Sequence, residues 1–244
     1  MNSYLIKNRI QIIKILFYEF IFKFLLLKKT IYKLSFLFIV LLTPITLTIG
    51  QPTSWVLERN ENGIKVYTRM YSGFNFKEVK VINRVKSTLS AMVALLFDTK
   101  NYPLWVYGCS ETRTIKFIND RERYNYQVTD LPWPLSDRDV VSHFKVTQDS
   151  TTNIVTFSKI GKSDLIPEVD GMVRVQHFES ICIFKKVAMD SIEITLQMHL
   201  DGGGNVPMWL VNDNVVNGPY YSTLAMIDRL PYYQSAKYNY IKEE

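Results

Sequence analysis

Ile64–Met70 (IKVYTRM) and Phe74–Val85 (FNFKEVKVINRV) alternate apolar with polar side chains. A period of two is that of a strand with one face on a core and the other in water. Tyr71-Ser72-Gly73 supplies a turn between the two runs. Ser87 and Thr88 then precede Leu89, Met92, Val93, Leu96 and Phe97. Spacings of three and four predict an amphipathic helix, with Ser87 or Thr88 as its N-cap. Pro103 ends or restarts that helix, and Leu104-Trp105-Val106 forms a short apolar cluster. Alternation returns over Thr112–Ile118, Arg123–Thr129, Asp139–Thr147, Asn153–Lys159, Met172–Phe184 and Ser191–Leu200. Gly202-Gly203-Gly204-Asn205 then makes a turn, and Val206 to about Arg229 reads as a long helix. Pro207 falls in its first turn, where a missing N–H costs nothing. Pro219, after Asn217-Gly218, predicts a kink or break. Two strands, a helix, six further strands and a closing helix predict an antiparallel sheet in an α+β fold.

A different pattern precedes this. Leu34–Leu42 (LSFLFIVLL) is an unbroken apolar run preceded by Lys28, Lys29 and Lys33 and followed by Pro44 and small or polar residues up to Gly50. This is the arrangement of a secretory signal, and the run is short for a membrane-spanning helix. Residues 1–50 are therefore expected to be an export signal cleaved near Gly50, with an N-terminal membrane anchor as the alternative. Residues 1–27 are either an overlong n-region or sequence upstream of the true start. Residues 51–244 show no repeat or low-complexity linker and read as one domain.

Charge changes the picture only once it is divided along the chain. The net charge of +6 comes from seven basic residues and one acidic residue within positions 1–50, leaving 22 basic and 22 acidic residues in the remainder. A neutral domain lacks the basic footprint that a phosphate backbone requires, so nucleic acid is not expected as a partner. The 15 Tyr and 14 Phe favour sheet and an aromatic interior. Two isolated cysteines, Cys109 and Cys182, form neither a metal site nor a disulfide framework; they read as buried thiols.

Three segments in order resemble the START family of lipid-transfer domains. They are Leu131-Pro132-Trp133-Pro134-Leu135-Ser136-Asp137-Arg138-Asp139-Val140-Val141, Met172-Val173-Arg174-Val175, and Asp201-Gly202-Gly203-Gly204-Asn205-Val206-Pro207-Met208-Trp209-Leu210-Val211-Asn212. Trp55, Gly63–Tyr67 and the Tyr102–Trp105 cluster also fit, and the likeness spans nearly all of residues 51–244. The resemblance implies a helix-grip fold: a curved antiparallel sheet wrapped around the long C-terminal helix, enclosing an apolar tunnel. The sheet and helix follow from periodicity as well; the tunnel follows from the resemblance alone. It further implies a monomer that binds and transfers a sterol-like lipid, a phospholipid or another apolar small molecule, with transient membrane contact.

Chemistry-bearing patterns are sparse. His143, His177 and His199 are the only histidines, and the chain has no HExxH, Gly-x-Ser-x-Gly, P-loop or GxGxxG. No catalytic residue, metal ligand or cofactor is expected. An enzyme of the broader helix-grip superfamily acting on a hydrophobic substrate is the alternative, and a protein-binding module the third. Asp137 and Asp139 are expected to cap or to pair with Arg138. Arg138 itself has two readings, a headgroup holder at the tunnel mouth or a salt bridge fixing loop to strand. On Asp139–Thr147, Val140, Ser142, Phe144 and Val146 share a face. Matching to the family turns Ser142 and Phe144 toward the tunnel, and likewise Val175 and His177. His177 is either a partner for a ligand hydroxyl or a core histidine. Val211, Val215, Gly218 and Ser222 form one helical stripe, which the match places on the tunnel wall. Trp105, Trp133 and Met198 complete the expected ligand-binding set.

Overall fold

The computed structural model describes residues 54–71, 76–203, 206 and 208–243, with the backbone alone for 208–213. The export-signal segment, the Ser72-Gly73 turn and Pro207 lie outside the described residues. The ten described strands are β1 (Val56–Glu61), β2 (Ile64–Met70), β3 (Lys77–Lys86), β4 (Cys109–Asn119), β5 (Glu122–Thr129), β6 (Arg138–Gln148), β7 (Val155–Gly161), β8 (Val173–Arg174), β9 (Phe178–Ala188) and β10 (Ser191–Leu200). The helices are α1 (Leu89–Phe97) and α2 (Met208–Arg229), with 3-10 turns at Thr99–Leu104 and Leu230–Tyr233.

The strands form one sheet in the order β1-β2-β3-β10-β9-β7-β6-β5-β4. Every neighbour pair on that path is antiparallel, and β8 pairs in parallel with β6. The order places the last strand, β10, against β3, so the sheet's middle joins distant parts of the chain. The sheet grips α2, which packs on β2 and β3 through Tyr220, Val216 and Leu224 against Ile64, Val66, Val79 and Val81.

Three local readings change on folding. Met172–Phe184 is two strands, because the chain leaves the ladder after Arg174 and rejoins it at Phe178. The α2 helix runs unbroken through Pro219, so the expected break does not occur. The carbonyl of Pro219 accepts a hydrogen bond from Thr223 Oγ1 at 2.8 Å. Finally, α1 is not amphipathic: eight of its nine residues are buried. Its second side is covered by the C-terminal tail, where Leu230 and Ile241 join the same core. The Glu243 carboxylate accepts from the backbone N–H groups of Leu89 and Ser90 at 2.9 and 2.8 Å, an anion at a helix N-terminus. The Thr88 side chain accepts from Ala91 N, so Thr88 is the N-cap.

Candidate functional site

Between α2 and the inner face of the sheet lies a cavity of about 770 Å³. That volume is in the range of sites that enclose small molecules. The helix contributes Val215, Gly218, Pro219, Ser222 and Met226. Val81 comes from β3, Ile194, Leu196 and Met198 from β10, and Phe157 and Lys159 from β7. Loop residues Gly108, Leu131, Gly202 and Gly203 line one part of it. Successive inner-face positions on antiparallel strands converge here because their side chains repeat every second residue.

Of the residues expected from sequence, Trp105, Arg138, Ser142, Val175, Met198, Val215, Gly218 and Ser222 line the cavity. Three do not. Phe144 shares the face of Ser142 but is only 2% exposed in a packed core. Its ring meets Phe157 edge-on at 5.7 Å and stacks on Tyr102 at 6.4 Å. The hollow closes where the aromatic cluster under α1 fills the space between helix and sheet. His177 is exposed, in the segment that joins β8 to β9, where the strand alternation that would carry it inward with Val175 is interrupted. Trp133 is 92% exposed on the loop between β5 and β6. The side chain of Val211 is outside the described residues.

The loop carboxylates also have different partners from those expected. Asp139 pairs with Arg174 rather than Arg138, through two hydrogen bonds of 3.0 and 2.8 Å, and both side chains are buried. Arg174 donates in addition to the carbonyls of Ser163, Ile166 and Pro167, tying down the β7–β8 connection. Arg138 donates to the carbonyls of Ser136, Gly202 and Gly203, and burial draws its guanidinium down from its ordinary value. Asp137 accepts from Leu131 N at 3.0 Å. Arg138 therefore fastens the Gly202-Gly203 turn to the cavity wall.

Pattern reading missed Lys159. It is half-buried on β7 and lines the cavity. Desolvation pushes its amine down to about 8. Burial drives the thiols the other way, Cys109 up to about 11 and Cys182 up to about 12. Both cysteines are free. The signal was an out-of-place polar residue: Val155, Phe157 and Lys159 share one face by period two. His143 and His199 are engaged elsewhere: His143 Nε2 lies 2.6 Å from Glu122 Oε1, and His199 stacks on Tyr71.

Two sides of α2 are held differently. Arg59 on β1 lies 3.5 Å from the centre of the Tyr220 ring and donates to Asn217 Oδ1, while Asn62 donates to the Tyr220 hydroxyl. Toward the loops, Ser222 Oγ accepts from Tyr107 N at 2.9 Å, and Tyr107 stacks on Tyr221.

The model of one family, the START domain, matches residues 48–219. This chain belongs to the START domain family. Among relatives of this START domain, an uncharacterized protein of Pseudomonas aeruginosa is 28% identical over 165 residues, 68% of this chain and 81% of that protein. The phosphatidylcholine transfer protein of Rattus norvegicus is 23% identical over 168 residues, 67% of this chain and 78% of that one. In structure, this START domain is similar to a STAR-related lipid transfer protein from Xanthomonas axonopodis, at TM-score 0.67 and 30% identity, covering 72% of this chain and 98% of that one. Human STARD10 shares the fold at TM-score 0.64 and 18% identity, covering 75% of this chain and 76% of that one.

Proposed function

We propose that this START domain binds a hydrophobic lipid in its cavity and carries it between membranes without chemically altering it. The observation that carries this reading is the hollow of about 770 Å³ between α2 and the sheet, whose walls include Val81, Phe157, Ile194, Leu196, Met198 and Met226. Each methylene removed from water is worth about 0.8 kcal/mol, so a sixteen-carbon chain is held in a membrane by on the order of 10 kcal/mol. An apolar cavity offers the chain an equivalent environment, which makes the exchange nearly neutral. Lipid-transfer relatives support the reading.

Trp133 stands 92% exposed close in sequence to Leu131, which lines the cavity. An amphipathic ring in that position suits an interfacial membrane contact beside the entrance. The loop Leu131–Asp137 and α2 near Gly218-Pro219 form the gate. The protein acts as a monomer, exported after cleavage near Gly50; an N-terminal anchor is the alternative. Trp105, Arg138, Ser142, Val175, Met198, Val215, Gly218 and Ser222 are the proposed ligand contacts. Native mass spectrometry of the purified protein, with extraction of bound material, tests the reading. A stoichiometric, chemically unchanged lipid is expected. Protein that stays empty after incubation with lipid vesicles, or that releases a converted product, overturns it.

A further inference from the structure

We propose that the cavity takes an amphiphile ending in a monoanionic acid group, a carboxylate in the simplest case, held within the cavity by the Lys159 ammonium. The inference rests on the lipid-binding reading above and names its ligand class.

Lys159 stands on β7 in register with Phe144 of β6 and Ser180 of β9, on the inner face of the sheet. Its Nζ lies 4.6 Å from the centre of the Tyr102 ring and 4.9 Å from that of Phe144. Its Nζ makes no hydrogen bond or ion pair with any described residue. The other cations on the cavity wall are occupied. Arg138 donates to three backbone carbonyls, and Lys77 lies 3.5 Å from Glu58.

The titratable groups facing Lys159 do not neutralise it. They are Tyr102 of the 3-10 turn, Cys109 of β4 and Cys182 of β9. Burial raises all three, so each is uncharged at neutral pH. Ring faces attract a cation, but they do not replace the hydration lost by a desolvated ammonium. What is missing is one negative charge, and the cavity is where it has room to arrive.

Two further polar groups of the wall lack partners among the described residues. They are both ends of the Asn83 carboxamide, on a residue 3% exposed, and Trp105 Nε1. Trp105 packs edge-on against the same Tyr102 ring, 4.8 Å between centres. A wall built only for hydrocarbon does not carry unpaired polar groups at such depth. One unpaired cation matches a monoanion. A dianionic phosphate monoester would bring a second charge with no second free cation to meet it, and a phosphodiester would bring polar substituents into a ring-lined corner.

The test uses the full chain stripped of lipid and three probes that share a twelve-carbon chain: laurate, dodecan-1-ol and methyl laurate. Their affinities are measured by calorimetry at about pH 7 for the natural protein, Lys159→Met and Lys159→Gln. Laurate is expected to bind the natural protein about tenfold tighter than dodecan-1-ol or the ester. In both variants laurate weakens by about that factor, while the neutral probes change far less. The comparison among probes in the natural protein does not depend on how the variants fold. Equal binding of all three probes by the natural protein, or a laurate preference that survives in Lys159→Met, overturns the assignment and leaves the lipid reading standing. Binding of none of the three overturns both.

Discussion

Asp139, expected from sequence to cap or to pair with Arg138, forms a buried ion pair with Arg174. Isolating either charge would be costly, because a buried ion without its partner cannot recover its hydration. Here the guanidinium has five donors and the fold uses them: two bonds go to Asp139 and three to carbonyls of the β7–β8 connection. The bonds to the Asp139 carboxylate hold the Arg174 guanidinium above its ordinary value. Arg174→Met removes the cation, leaves Asp139 buried and unpaired, and frees three carbonyls. Equilibrium unfolding in urea should show a loss of about 3–5 kcal/mol. A loss under about 1 kcal/mol would mean that the pair is as weak as a surface bridge. The motif Arg138-Asp139 thus divides its work: the carboxylate secures Arg174 and with it the β7–β8 connection, and the guanidinium fastens the Gly202-Gly203 turn.

At the scale of elements, α2 is clamped from one side and tethered from the other. Arg59 and Asn62 hold Tyr220 and Asn217, whereas Tyr107 and Ser222 make a backbone-to-hydroxyl bond beside the loops. Opening on the second side breaks fewer interactions, which is the physical basis for the gate proposed there. Pro219 adds to it by leaving one helical carbonyl without its usual donor. Cysteines introduced in the Leu131–Asp137 loop and on α2 near Gly218 should block lipid uptake when oxidised and restore it on reduction. Dequenching of a fluorescent lipid taken from vesicles reads this directly. Uptake at an unchanged rate in the oxidised protein would refute the gate. The natural thiols do not interfere, because Cys109 and Cys182 are buried and held protonated.

For the whole molecule, the cavity has a cost in stability that depends on pH. The Lys159 amine titrates near 8 when folded, against 10.5 for an unperturbed lysine. Its lowered value means that the folded state disfavours the proton, so the penalty is complete below about pH 8. It is relieved as pH rises toward the unfolded value, where the unfolded chain still binds the proton and the folded one does not. The buried thiols and Tyr102 work in the opposite sense, since folding raises their values; they lower stability above about pH 9. A difference between two proteins isolates the lysine. Ligand-free Lys159→Met should melt higher than the natural protein at about pH 7, with the gap closing by about pH 10. A gap that is absent or independent of pH would show that Lys159 is not desolvated.

Local patterning was enough for most strands, for α1 with its cap and for the closing helix. A period of two or 3.6 is imposed by the backbone wherever one side of an element is buried. It missed β1, although Asn62-Gly63, both at positive φ, marks the hairpin turn into β2. The resemblance to a family supplied the hollow, and eight of the expected contact residues do line it. Phe144 and His177 went astray because period two specifies a face but not how far along it the hollow extends. The depth is set by α1 and the 3-10 turn packing over the sheet, and the strand that would carry His177 inward is interrupted between Arg174 and Phe178. The solitude of Lys159 was likewise invisible from sequence. Whether a cation has a partner is decided by which strands become neighbours, and β7 meets β9 only through the long-range order of the sheet.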